Sequence, residues 1–227
     1  MTPTSVSHAL ILADGSVPAA SVLDETWPGW SDAIDVVIAA DGGARHAAAL
    51  GRRIDLWVGD GDSIGEDDLA ALAREGIPIR RAPVDKDESD TELAVLAALD
   101  DGARRITICG ALGGARIDHE LANVWLLGHP RLAGCDVRLV DRAVRIRLVG
   151  PGRADLGGRI GDLVSLLPFA GDAAGLATEG LRYPLRDESL RSGPSRGLSN
   201  VRVAKDASLV VGSGRILVVE TPATFSE

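Results

Sequence analysis

The stretch Gly59-Asp60-Gly61-Asp62-Ser63 closes a short apolar run, Ile54 to Val58, and sets two carboxylates two residues apart between glycines. On an extended chain residues i and i+2 project to one side, so Asp60 and Asp62 face a common point if that geometry persists past Val58. Two like charges so placed invite a cation; an acidic surface turn of Gly and Asp is the alternative. A second acidic segment, Asp85-Lys86-Asp87-Glu88-Ser89-Asp90-Thr91-Glu92, precedes a helical pattern. Ser89-x-x-Glu92 has the form of a capping box and acids favour a first helical turn, so Asp90 reads as a cap-region acid or as a ligand. Asp87 and Lys86 lie ahead of the cap. A carboxylate beside a lysine suits a metal-phosphate site, with oxygen for Mg²⁺ and a point charge for phosphate.

Residues 109–120, CGALGGARIDHE, form a glycine-rich turn between a strand-like run and a helical one. Backbone N–H groups around Gly113 and Gly114 and the helix N-terminus can cradle phosphate there. The turn lacks the Gly-Lys-Ser/Thr ending of a Walker A loop and is not a full dinucleotide fingerprint. Arg116 adds a planar fork for phosphate oxygens, while Asp118 is either a ligand or a first-turn acid. Further on, GLRYPL (residues 180–185) holds the single tyrosine, Tyr183, which can stack on a flat ring or pack in a core. Ser199 and Asn200, in GLSN (residues 197–200), can bond a ligand or make a turn.

These residues need elements to hold them. Apolar runs at Ala9 to Ala13, Ile34 to Ala40, Ile54 to Val58, Arg105 to Cys109 and Val137 to Val140 alternate with helical patterns at Glu66 to Arg74, Glu92 to Leu99 and Ile117 to Leu127. Such βα alternation with near-continuous apolar strands predicts a mainly parallel, Rossmann-like α/β sheet covered on both faces. Ligands of such sheets sit at the carboxyl ends of the strands, which is where Asp14, Asp41, Asp60 and the Gly110 to Gly114 turn fall. From Val149 the texture turns to Gly, Pro and short strand-like pieces at Leu163 to Leu167, Leu198 to Val203, Ser208 to Val211 and Arg215 to Val219. The division predicts an α/β domain over 1–148 and a β-sandwich over 149–227.

The chain has 227 residues and a net charge of −9, and this acidity argues against a general nucleic-acid binder. No stretch approaches the roughly 18 apolar residues of a membrane span, and the N-terminus lacks a basic leader. Two cysteines, Cys109 and Cys135, suit free thiols in a reducing compartment, so a cytoplasmic protein is expected.

The segments AADGGA, GDGDS, DKDESDTE, GALGGARIDHE, SLLPF, GLRYPL and GLSN stand in the order and approximate spacing of the thiamine pyrophosphokinases, and the chain resembles that family from about Leu10 to Val219. It departs in having Gly61 where the family usually has an aromatic and Ser89 where Thr is common, but every carboxylate is kept. The resemblance implies transfer of the terminal diphosphate of ATP to the hydroxyl of thiamine, with Mg²⁺ as cofactor and a homodimer whose thiamine sites lie between subunits. It implies metal ligation by Asp60, Asp62 and Asp87, with Lys86, Arg116 and Asp118 in the reaction. Asp41, Gly42, Gly113, Gly114 and Asp90 are expected around the nucleotide, and Tyr183, Ser199 and Asn200 around thiamine. Two rivals stand beside it: a D-x-D metal-dependent phosphatase or glycosyltransferase, and a non-catalytic nucleotide or thiamine sensor of the same fold.

Overall fold

The computed structural model describes residues 6–225, which divide into two compact units, one ending at Arg142 and the other starting at Ala143. In the first, the apolar runs become strands that alternate with helices: β1 (His8–Leu12), α1 (Ala20–Thr26), β2 (Val36–Ala40), β3 (Leu56–Gly59), α2 (Glu66–Arg74), β4 (Ile79–Arg81), α3 (Asp90–Asp100), β5 (Arg105–Cys109), α4 (Ile117–Leu126) and β6 (Asp136–Val140). Every pairing among these strands is parallel. β1 and β3 are buried throughout, as a sheet covered on both faces requires. Leu10, Leu12, Ala39, Cys109 and Val140 pack with Trp27, Trp30 and Trp57 in one core.

The strand order within this unit is β4-β3-β2-β1-β5-β6. The chain therefore works outward from β1 to β4 and then returns to the other side of β1, which puts the reversal point between β1 and β5. Ligands of doubly wound sheets bind at the carboxyl edge around such a point. One helix of this unit leaves no sequence signal, and a short helix-like stretch closed by Gly51 differs in type from an α-helix. α1 buries only Leu23 and has no side-chain cap, so it carries little pattern. The stretch after β2 is not an α-helix but two 3₁₀ turns, Asp41–His46 and Ala48–Leu50, closed by Gly51 in the left-handed region.

The second unit is built of β7 (Arg145–Val149), β8 (Gly152–Asp155), β9 (Leu163–Pro168), β10 (Ala173–Glu179), β11 (Glu188–Leu190), β12 (Asn200–Val201), β13 (Ser208–Val211) and β14 (Ile216–Thr221). They form two antiparallel groups, β7-β14-β9-β12 and β11-β10-β13-β8. Val164, Leu166, Ile216 and Val218 from the first group and Leu176, Leu190, Leu209 and Val211 from the second share one core. The unit starts ahead of residue 149 because β7 is committed to it: Arg145 to Val149 pair residue for residue with Glu220 to Ile216. The strand expected over Leu198 to Val203 shrinks to Asn200–Val201, continued by a bridge from Leu181 to Arg202.

Candidate active site

The acids of GDGDS converge by a different route from the one the spacing suggests. β3 ends at Gly59, and Gly61 has φ 88°, so the loop turns rather than running on extended. Its backbone sits in a region that favours glycine. The turn is held from within: the Asp62 N–H donates to Asp60 Oδ1 at 3.1 Å, and the Ser63 hydroxyl donates to Asp62 Oδ1 at 2.9 Å.

Asp41 comes to meet this loop from the end of β2. Its backbone adopts φ 44°, a strained value for a residue with a side chain. Its carbonyl accepts from the indole N–H of the buried Trp57 at 3.1 Å. The carboxylate is 2% exposed; Oδ2 accepts from the Gly61 and Ser63 N–H groups at 3.2 and 3.4 Å, while the buried Oδ1 has no hydrogen-bond partner. Burial pushes the Asp41 carboxyl up to about 6 despite the Ser63 bond that opposes it, and the nearby Asp90 charge adds to the rise.

Asp90 enters from the first turn of α3. Ser89 caps that helix by accepting the Glu92 N–H at 3.1 Å, which frees Asp90 to face the other acids. Asp41, Asp60, Asp62 and Asp90 each offer an oxygen, and these oxygens lie within 4.8 Å of one another. The Lys86 ammonium stands among them, bonded to Asp60 Oδ2 and 3.2 Å from Asp90 Oδ1, with only 11% of its side chain exposed. Burial works against the charged lysine, but the two carboxylates outweigh it and raise its pKa. The two partners respond oppositely: the Lys86 bond holds Asp60 low, whereas burial raises Asp90.

This set fits a hard divalent cation such as Mg²⁺, which prefers carboxylate oxygens. The orphan Oδ1 of Asp41 is the clearest sign, because an unpartnered buried carboxylate oxygen is costly unless something positive satisfies it. The group differs from the expected trio. Asp41, placed by sequence around the nucleotide, stands among the acids, and Asp87 is exposed and outside them.

The other expected residues gather at the reversal point of the sheet or in the second unit. Between β1 and β5 the loops interlock: the N–H groups of Ala13, Gly15 and Ser16 donate to the carbonyls of Cys109, Gly110 and Leu112, each at 2.8 Å. Gly113, at φ 73°, lies where a Cβ would come within 2.7 Å of Ser16 Cβ, while at Gly114 a Cβ would make only ordinary contact, 3.7 Å from Gly15 Cα. Gly42 packs beneath a pair that sequence did not single out, Arg45 bonded to the carboxylate and carbonyl of Asp14. Asp14 is marked only by following β1, and Arg45 by no pattern. Arg116 and Asp118, at the start of α4, are exposed and bonded to each other; the Arg116 fork holds the Asp118 carboxyl below its ordinary range.

Tyr183 is 66% exposed, which excludes the core role. Ser199 has φ 55° and donates its N–H to Ser165 Oγ at 3.0 Å. Asn200 is buried, with its carboxamide bonded to the chain at Tyr183 and Val201.

Comparison with known proteins finds a match in each of the two units. Residues 29–139 match the family described as "Thiamin pyrophosphokinase, catalytic domain" and residues 154–216 the one described as "Thiamin pyrophosphokinase, vitamin B1 binding domain". A thiamine pyrophosphokinase of Bacillus subtilis is 27% identical over 164 residues, covering 72% of this chain and 76% of that one. The crystal structure of thiamine pyrophosphokinase from Bacillus subtilis superposes with a TM-score of 0.83 at 26% identity, covering 95% of this chain and 99% of the other. A thiamin pyrophosphokinase family protein from Enterococcus faecalis gives 0.78 at 26% identity, with coverage of 95% and 99%. Catalytic-domain and vitamin-binding matches in tandem, and likeness over nearly the full length of solved relatives, agree with the motif order, and the chain belongs to the thiamine pyrophosphokinase family of ATP-dependent diphosphotransferases.

Proposed function

We propose that the first unit is the nucleotide- and metal-binding domain, that the second is a β-sandwich holding thiamine, and that the protein transfers the diphosphate of ATP to the thiamine hydroxyl. The observation that carries the chemistry is the convergence of Asp41, Asp60, Asp62 and Asp90 around Lys86 at the carboxyl edge of the parallel sheet. Mg²⁺ bound by these acids supplies charge neutralisation for the phosphoryl oxygens. Asp60 and Asp62 would hold the ion together with Asp41 and Asp90, and Asp87, exposed and outside the group, would act from beside it.

The thiamine oxygen forms a bond to the β-phosphorus of ATP, the bond from that phosphorus to the α,β-bridging oxygen breaks, and AMP departs with the bridging oxygen. The hydroxyl proton passes to a carboxylate, Asp90 or Asp118. Lys86 provides fixed positive charge beside the acids and Arg116 a fork for phosphate oxygens; such preorganised charge is the main lever in phosphoryl transfer. Gly114, where a Cβ would meet nothing closer than 3.7 Å, leaves room for the nucleotide to approach the backbone, while Gly42 and Gly113 let the chain around Asp14 and Ser16 pack closely beside it. In the second unit Tyr183 offers an exposed ring to a flat cation, with Ser199 and Asn200 behind it.

A homodimer with thiamine sites shared between subunits and a cytoplasmic location complete the reading. No helix among the described residues is long and apolar enough to cross a membrane. Incubation with ATP, Mg²⁺ and thiamine tests the reaction. AMP and thiamine diphosphate in equal amounts are expected, whereas ADP with thiamine monophosphate overturns diphosphate transfer.

A further inference from the structure

Asn200 has been placed with the thiamine ligands by its motif, but three of the four hydrogen bonds its carboxamide can make already go to the chain. Nδ2 donates to the Tyr183 carbonyl at 2.7 Å, and Oδ1 accepts the N–H of Tyr183 at 3.0 Å and that of Val201 at 2.9 Å. Two N–H groups on one side and a carbonyl on the other fix which end of the carboxamide is oxygen. The residue is 8% exposed.

The surrounding chain shows what this achieves. The Val203 N–H donates to the Gly180 carbonyl and the Arg182 N–H to the Val201 carbonyl, both at 2.8 Å, so residues 180–183 run antiparallel to 200–203. At Tyr183 the ladder ends, and the Asn200 side chain takes the place of a strand partner by satisfying both backbone groups of that residue. The next residue, Pro184, has no N–H with which to continue it. Arg202, 4% exposed, anchors the other strand by donating to the carbonyls of Leu156, Gly157, Ala204 and Lys205. The outcome is an exposed aromatic side chain on a backbone pinned at both of its polar groups.

We propose that Asn200 is a positioning residue that clasps the Tyr183 backbone and so presents the ring to the substrate, rather than a residue that touches thiamine. The proposal rests on the reading of Tyr183 as a thiamine contact. A ring held in place pays less ordering entropy when a flat cation stacks on it, so loosening the clasp weakens thiamine binding without touching the phosphoryl chemistry.

Asn200→Asp keeps the shape but turns the donor facing the Tyr183 carbonyl into an acceptor. The KM for thiamine is expected to rise about tenfold, with kcat and the KM for ATP held. Tyr183 is the single tyrosine, so 3-fluorotyrosine labelling gives one fluorine resonance from this ring; that resonance is expected to move in the variant and, in the unmodified protein, to respond to thiamine. In a Tyr183→Ala background, Asn200→Asp is expected to add nothing further to the KM for thiamine. Additive effects of the two substitutions, or an unmoved fluorine resonance in Asn200→Asp, overturn the proposal. A Tyr183→Ala protein with unchanged KM for thiamine, whose parent resonance ignores thiamine but moves in Asn200→Asp, overturns the thiamine role of Tyr183 and supports the clasp. Asn200→Ala, which removes the clasp without adding charge, carries the same measurements if the aspartate variant does not fold.

Discussion

Lys86→Met is the most direct test of the charge balance in the acid cluster, because it removes one ammonium and keeps much of the stem. At 3.2 Å from Asp90 and an effective dielectric near 20, each lysine–carboxylate attraction is about 5 kcal/mol before desolvation is counted. Much of that is returned when the ammonium regains water, and removing one member of a largely buried pair leaves a net loss of about 3 kcal/mol. The remaining carboxylates, with oxygens within 4.8 Å of one another, then repel by about 3 kcal/mol per ionised pair on the same scale. For a chain of this size the loss corresponds to a fall in Tm of about 6–12 °C without Mg²⁺. Added Mg²⁺ meets a site one positive charge poorer and binds it more tightly; each tenfold gain in affinity adds about 1.4 kcal/mol of stability at saturating metal. Thermal unfolding with and without Mg²⁺ is therefore expected to show a larger metal-induced rise in Tm for Lys86→Met than for the parent. An unchanged metal-free Tm, or a metal response no greater than the parent's, refutes the placement of Lys86 as the counter-charge of these acids.

Asp62→Asn removes a charge and little volume, so turnover is expected to drop by about two orders of magnitude or more with the circular dichroism spectrum kept; near-normal turnover removes Asp62 from the metal site. Gly43→Ala is expected to cost about 3 kcal/mol, since its Cβ would stand 2.0 Å from the carbonyl oxygen of Leu12 in the buried β1; urea unfolding that matches the parent contradicts that close approach. His8 is 2% exposed, and its Nδ1 donates to the Asp32 carbonyl at 2.8 Å while Nε2 accepts from the Thr107 hydroxyl at 2.9 Å. Burial lowers its pKa below 6.5, so between 6.5 and the lower folded value the unfolded chain takes up the proton that the folded chain refuses. Its contribution is thus whole above pH 6.5 and declines as pH falls below it. Urea unfolding across this range is expected to show a shallower pH slope for His8→Gln, and parallel slopes would contradict a neutral buried imidazole.

How far sequence reaches here depends on where each element finds its partners. β5 and α2 have the bounds that their patterns predict, because a strand covered on both faces is one apolar run and the helix ends at a glycine, Gly76. β10, Ala173–Glu179, left no such trace: it shares residues between the core and the surface, is broken by Gly175, and owes its pairing to β13 some thirty positions away. β8 is hidden in the Gly-rich stretch for the same reason, since its partner is again β13. The acids divide along similar lines. Asp60 and Asp62 are conspicuous as neighbours, yet their convergence depends on the turn at Gly61, and Asp41 joins them only because its strained backbone and the Trp57 bond hold its carboxylate against the same loop. Asn200 shows the converse. Its type suits a ligand contact, but bonds from residues 183 and 201 occupy both ends of its carboxamide. A polar side chain in a binding motif has a fixed number of donors and acceptors, and those already spent on the protein are no longer offered to the substrate. By that count Asp41, buried with an oxygen to spare, is the stronger candidate to hold a bound cation, and Asn200, buried with its amide engaged at both ends, is part of the frame that holds Tyr183.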